Sequence, residues 1–385
     1  MSAFPTTSLS SVCDISMGQA PRGSSYNTTK SGYPLIAGAG DFGELTPKPK
    51  HYTDAPTKLS KPGDIILCIR ATIGNRNWSD TEYCLGRGVA GLTAKDADLN
   101  QAYLGHWLDH ATPVLRTKGR GATFLQVSKG DIASLQIPLP PLAEQKRIAA
   151  ILDTADELRT KRRQALVQLD TLVQSTFLDM FGDPVTNPMG WEQCMLGDVV
   201  HSANDGPHVS PRYVENVESG VPFLSTRHIK PGEVVWEDLK YIDQDEANRQ
   251  WKKCKPEPGD ILYTKGGTTG IAARVITSKP FAVWVHVALL KPNVKEVHPI
   301  WMETMLNSAY CYTQSQRYTH GIANRDLGLK RMVKIRMYLP PLAQQCDFAS
   351  MAASIQHQRA SQRAHLADLD TLFASLQSRA FRGDL

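Results

Sequence analysis

Two textures alternate along the chain. From 1 to 138, and again from 184 to 338, apolar residues fall in short runs punctuated by Gly and Pro, as in DIILCI (64–69), DILYT (260–264) and FAVWVHVALL (281–290). Such runs predict strands in mixed α/β domains. Helical patches are expected at 98–110 (DLNQAYLGHWLDH) and 298–317. The intervening texture is different. From Ala143 to about Met180 there is no Pro or Gly, and steps of three and four from Gln145 pass through Ile148, Leu152, Ala155, Arg159, Arg162, Leu166, Leu169, Val173, Thr176 and Met180. The pattern returns as Phe348, Ala352, Ile355, Arg359, Gln362, Leu366, Leu369, Phe373, Leu376 and Ala380. Both are helical seams of coiled-coil period, apolar at the ends and polar in the middle. Antiparallel pairing would set the polar centres together and match apolar ends with apolar ends.

The two textures repeat as a unit. LPPLAEQ at 139–145 returns as LPPLAQQ at 339–345, and Leu169-Asp170-Thr171-Leu172 and Phe181 return as Leu369-Asp370-Thr371-Leu372 and Phe381. Upstream the offset shrinks, so that Pro62-Gly63-Asp64-Ile65 pairs with Pro258-Gly259-Asp260-Ile261. The chain is therefore read as a tandem duplication, with variable segments 1–138 and 184–338 and helical segments 139–183 and 339–385. Two copies are too few for a solenoid. The expected fold class is α+β: two pseudo-repeated mixed α/β domains separated by two long helices that form an antiparallel coiled coil.

Candidate chemistry changes this picture little. GAGDFG (38–43) spells a dinucleotide-binding glycine pattern, but the required helix is replaced by ELTPKPKHY, so a turn is expected. KGGTTG (265–270) lacks the order of a phosphate loop and is expected to be a strand-end turn; RATIGN (70–75) holds the equivalent place. H-E-x-x-H and G-x-S-x-G are absent, and the seven cysteines are scattered with no C-x-x-C. These absences argue against bond chemistry by this chain and against a structural zinc site, and the thiols fit a reducing cytoplasm. His286, inside an apolar run, is expected to be a satisfied core residue. No apolar run reaches membrane-spanning length, and the N-terminus lacks the marks of a signal peptide. The net charge of +5 permits a polyanionic partner without requiring one.

Taken together, IPLPPLAEQKRIAAILDTADEL, YLPPLAQQ, the two Pro-Gly-Asp strands and LDTL after each phrase resemble the specificity (S) subunit of type I restriction-modification enzymes across the whole chain. The second helix departs in part, with Cys346-Asp347 where the first has Lys146-Arg147. The resemblance implies two target recognition domains, each reading half of a split site in double-stranded DNA, with helices that set the unread gap. It also implies methyltransferase (M) subunits docked on the helices and restriction (R) translocase/nuclease subunits completing the enzyme. S-adenosylmethionine, ATP and Mg²⁺ would belong to those partners, and no cofactor to this chain. Two rivals stand beside it: a protein-binding scaffold, disfavoured by basic glycine-rich turns, and a nuclease or methyltransferase with an unrecognised site.

Base edges are read by Arg, Lys, Asn or Gln on turns or helices, and phosphates are held by cations and hydroxyls. In the first domain that selects Arg70, Arg76, Lys118, Arg120, Thr123 and Gln126, mostly within RTKGRGATFLQVSK. In the second it selects Arg227, His228, Lys265, Thr268, Arg317, His320, Asn324 and Arg325, mostly around QRYTHGIANRD. The mid-helix run Arg159, Lys161, Arg162 and Arg163 fits a phosphate-facing stripe, a solvated face or a contact with a partner acid equally well.

Overall fold

A computed structural model describes residues 4–95, 98–215, 220–322 and 324–385. The chain divides into two compact units, Met1–Gln164 with Ala364–Leu385, and Ala165–Arg363.

In the first unit, Cys13–Met17, Val89–Ala94, Ile65–Cys68 and Arg76–Trp78 form an antiparallel sheet in that spatial order. A second sheet orders Tyr26–Asn27, His51–Thr53, Tyr33–Ile36 and Cys84–Leu85, its last pair parallel. The second unit reproduces both orders with Val200–Asp205, Val287–Pro292, Ile261–Thr264 and Ala272–Arg274, and with Tyr213–Val214, Lys240–Ile242, Val221–Leu224 and Ala282–Val283. It adds a hairpin (Ile229–Lys230 with Glu233–Val234) and a helix, Gln244–Trp251. Each repeat is tied shut by a short strand pair, Thr6–Ser8 on Gln136–Pro138 and Glu192–Met195 on Arg336–Leu339.

The helical patch at 98–110 is the helix Gln101–Thr117, capped by the Asn100 side chain on Tyr103 N–H. The patch at 298–317 is two helices, Pro299–Leu306 and Ala309–Tyr318. The break falls where Asn307 turns its side chain to Ala272 N and O, both at 2.9 Å, and Ser308 caps the next turn. The run 281–290 is likewise not one strand but Ala282–Val283 and Val287–Pro292 separated by a turn, so the expected core role of His286 does not hold.

The two long helices are continuous, Leu142–Phe181 and Leu342–Arg382, each roughly 60 Å at 1.5 Å per residue. The repeated phrase places their first turns. Gln145, fully buried, accepts from Asn100 N at 2.8 Å and donates to Asp98 O and Pro140 O at 3.0 and 2.9 Å. Gln345 does the same with His298 N, Glu296 O and Pro340 O. One amide thus ties the helix entry, through the buried Pro140 or Pro340 carbonyl, to two main-chain groups of a loop more than forty residues away.

The helices pair antiparallel. In the first unit Ile148 and Leu152 share a core with Phe373, Ala380 and Phe381, and Phe381 meets Tyr103 edge-on at 5.4 Å. In the second, Phe177 and Phe181 pack on Phe348 at 5.6 and 5.7 Å and join Trp301. The tail of each helix therefore completes the core of the other repeat, which accounts for the recurrence of Phe at 181 and 381. The buried phase also drifts from Thr176 and Met180 to Phe177 and Phe181, because the helix there turns toward Trp301 and no longer follows a strict seam.

The polar centres do not set cation on cation. Arg159 reaches Asp370 at 2.7 Å and lies 4.2 Å from the Phe373 ring centroid; Arg359 reaches Asp170 at 3.2 Å. Arginine sits at one end of each polar stretch and aspartate at the other, so antiparallel alignment joins opposite charges. In the mid-helix basic run, Arg163 also takes Asp370 and Lys161 takes Glu157, so three of the four cations face acids of this same chain.

Candidate nucleic-acid interface

Both repeats build the same loop cluster from glycine placement. The segment 119–126 folds into a hairpin in which Arg120 and Gln126 exchange N–H···O bonds of 3.0 and 2.9 Å; His320 and Asp326 do so at 2.9 and 2.8 Å. Gly121 (φ 135°) and Gly321 (φ 86°) turn these hairpins, and a Cβ at either would stand 2.3 Å from the carbonyl oxygen of Phe124 or Asn324. Only glycine fits there.

The turn after each Pro-Gly-Asp strand leans on its hairpin. Ala71 N donates to Leu125 O at 2.9 Å, as Gly267 N does to Arg325 O at 2.9 Å. Val127 N bonds Ile69 O at 3.0 Å, matching Leu327 N on Lys265 O at 2.7 Å. GAGDFG is a turn, with Asp41 Oδ2 accepting from Ala37 N at 2.9 Å, and KGGTTG is the strand-end turn of the second cluster.

These clusters gather most of the candidate residues. In the first, Arg120, Thr123 and Gln126 are exposed on the hairpin, and Lys118 donates to Ser134 Oγ at 3.2 Å. Arg70, half-buried, sits 5.6 Å from the exposed Phe124 ring. Arg76 lies apart: both arms of its guanidinium grip Asp109 at 2.9 and 2.7 Å, and its side chain is 15% exposed. In the second, Thr268, Arg317, His320 and Asn324 are exposed, and Arg325, also exposed, donates to Gln316 Oε1. Lys265 is buried, its Nζ 3.1 Å from Val285 O and 3.4 Å from both Asp205 Oδ2 and Asp326 Oδ1. Arg227 and His228 sit on a different turn, after Val221–Leu224. Arg227 donates to Asp238 O and His228 Nε2, and His228 is buried, accepting from Ser225 N at 2.9 Å. Burial, then the Arg227 charge, holds the His228 imidazole below its usual range.

The second cluster also contains a cleft of about 700 Å³ lined by Asp205, Lys265, Trp284, His286, Asp326 and Arg331, among others. His286 stands in its wall, ring edge-on to Trp284 at 4.8 Å, with Nδ1 buried and unpaired among the described residues. Burial, then the Lys265 charge, lowers its pKa. Asp205, Asp326 and the exposed apolar tips Phe124, Leu125 and Ile322 escaped the sequence reading. A search for phosphate-binding cations passes over carboxylates and apolar tips. The available signal was the alignment of Gln126 with Asp326.

Residues 1–168 match the family model of the type I restriction modification DNA specificity domain. The EcoBI specificity subunit of Escherichia coli, from a type I restriction enzyme, is 23% identical over 411 residues, covering 98% of this chain and 85% of that protein. By these two matches the chain is similar to type I specificity subunits, with the family model reaching over its first 168 residues. A Methanocaldococcus jannaschii chain provisionally named the MjaX type I restriction enzyme specificity subunit is 36% identical to this chain over 156 residues. That match covers 40% of this chain and 37% of the relative's length. The crystal structure of the type I S subunit from M. genitalium shares the fold, with TM-score 0.63, 14% identity, and 98% and 96% of the two chains covered. A second solved chain, from work on complex assembly and conformational transition of the type I R-M system, aligns with TM-score 0.57 at 21% identity over 99% and 98% of the chains. Among the described residues, no helix of this chain is long and apolar enough to cross a membrane.

Proposed function

We propose that this chain supplies the DNA address of a type I restriction-modification enzyme, each repeat reading one half of a split, asymmetric duplex site. One observation carries the reading: the same glycine-enforced loop cluster recurs at equivalent places in both repeats but presents different side chains. A shared scaffold with divergent tips suits one task performed on two sequences. The exposed cations Arg120, Arg317 and Lys330 suit phosphate contacts, and the hairpin side chains suit base edges. The domains so used are 1–138 and 184–338, and the paired helices 139–183 and 339–385 set the gap between half-sites.

The helices also dock the methyltransferase subunits, with restriction subunits completing the nuclease. Exposed Leu158, Val167, Leu172 and Leu178 on the first helix, and Met351 and Leu372 on the second, fit an apolar partner face. S-adenosylmethionine, ATP and Mg²⁺ belong to those partners, and this chain breaks no bond. The workplace is the cytoplasm.

The test is to co-express the full chain with its methyltransferase subunits and sequence the methylated positions. A two-part motif with a fixed gap is expected, and exchanging 184–338 for the same segment of another family member should change one half alone. A continuous motif, or one unmoved by the exchange, overturns the reading.

A further inference from the structure

We propose that the residue closing each hairpin is a base-reading position, Gln126 selecting adenine in one half-site and Asp326 selecting cytosine in the other. This rests on the DNA-addressing reading above and deepens it.

The two positions are equivalent by main-chain geometry, since each closes its hairpin through the paired bonds to Arg120 or His320. The backbone on which each side chain stands is therefore held on both sides. Gln126 is exposed, and its amide has no hydrogen bond among the described residues. A free side-chain amide carries the donor–acceptor pair that matches N7 and N6 of adenine in the major groove.

Asp326 offers acceptors only. Its two oxygens are steadied from behind by Lys265 Nζ at 3.4 Å and Arg331 at 3.1 Å, while half the side chain stays exposed. An acceptor-only group pairs with the cytosine N4 amino group and meets acceptors on guanine and thymine; adenine sets N7 beside its amino group, which a carboxylate opposes.

The surroundings of Asp326 differ from those of Gln126 in a concerted way. Lys265 N bonds His286 O at 2.8 Å where Ile69 N bonds Gly88 O at 2.9 Å, so Lys265 replaces Ile69 and His286 replaces Gly88. Strand pairing sets Asp205 against Ala288 where Met17 meets Ala90. The second repeat has thus exchanged an apolar floor for a buried lysine flanked by two carboxylates. Isoleucine fills that floor without any desolvation cost, so stability does not explain the lysine. Holding a carboxylate against a polyanion does, because Lys265 and Arg331 offset the repulsion that an isolated aspartate would meet beside phosphates.

The test uses the full chain with its methyltransferase subunits on randomised duplexes, comparing wild type with Asp326→Asn, Asp326→Gln and Gln126→Asp. Wild type should select cytosine at one position of one half-site and adenine at one position of the other. Asp326→Asn should cut the cytosine preference roughly tenfold, and Asp326→Gln should move it toward adenine, with the other half-site unchanged. Gln126→Asp, which loses no internal partner, should move its own position toward cytosine and stands as the test if Asp326 variants fail to fold. Lys330→Ala is the control and should weaken all sequences alike. Folded variants whose preferences match wild type at every position overturn the assignment. A wild type that selects no two-part site overturns the underlying DNA-addressing reading instead.

Discussion

Gly321 shows how much a single residue decides. Its positive φ and the carbonyl of Asn324 beneath it exclude a side chain. The conformational term costs about 1–2 kcal/mol, and the close approach adds to it by forcing the hairpin open. Gly321→Ala should therefore leave the melting transition of the cores near wild type while weakening DNA binding through the second repeat; a variant that binds unchanged would show that hairpin shape is immaterial. Glu303 makes a different demand. It is buried, accepts from Arg274 N, and burial raises its carboxyl pKa despite the Arg274 charge. Folding then favours the protonated form. The contribution of this residue to stability is complete below about pH 4.3, the ordinary Glu value, and is lost as pH rises through the raised pKa. Glu303→Gln keeps an acceptor for Arg274 N and should gain on wild type as pH climbs through that window, with no gain below it. Denaturant melts from pH 4 to 8 check this, and a pH-independent difference counts against it.

Among the elements, the long helices owe their pairing to charge as well as to apolar ends. Arg159 is shared by Asp156, Asp370 and the Phe373 ring, and is largely shielded while its acids are not. Partly exposed pairs of this kind contribute about 0.5–1 kcal/mol. A double-mutant cycle on Arg159→Ala and Asp370→Ala should return a coupling of that size that shrinks in salt; zero coupling at low salt would mean that packing alone sets the register. The helices were legible in advance because forty residues without Gly or Pro, with a repeating seam, leave little else to form. The split of 298–317 into two helices was not, because it depends on Asn307 finding the main chain of Ala272, a residue far away in sequence. The break between Ala282–Val283 and Val287–Pro292 escaped notice for a similar reason: nine apolar residues in ten conceal a turn that only sheet pairing reveals.

For the whole molecule, two hairpins with exposed cations should make binding strongly salt-dependent. Removing one phosphate contact, as in Arg120→Ala, should weaken binding to all sequences similarly and reduce the slope of log affinity against log salt by about 1. A change confined to one base position would instead mark Arg120 as a base reader. Arg76 was chosen as a candidate by residue type and position alone, and the structure gives its guanidinium to Asp109. That partner lies 33 residues away, so no local pattern could announce it. Asp326 was passed over for the converse reason: its value depends on Lys265 and Arg331 standing behind it.

The sequence by itself determined the duplication, the long helices and the glycines that shape each hairpin, because periodicity and backbone freedom are local properties written in consecutive residues. Tertiary structure alone decided which arginines remain free for a ligand, that each helix tail completes the core of the other repeat, and that a buried lysine underlies one hairpin and an isoleucine the other. Those outcomes turn on pairings between residues dozens to hundreds of positions apart, where burial and the choice of partner set the energy of a charge.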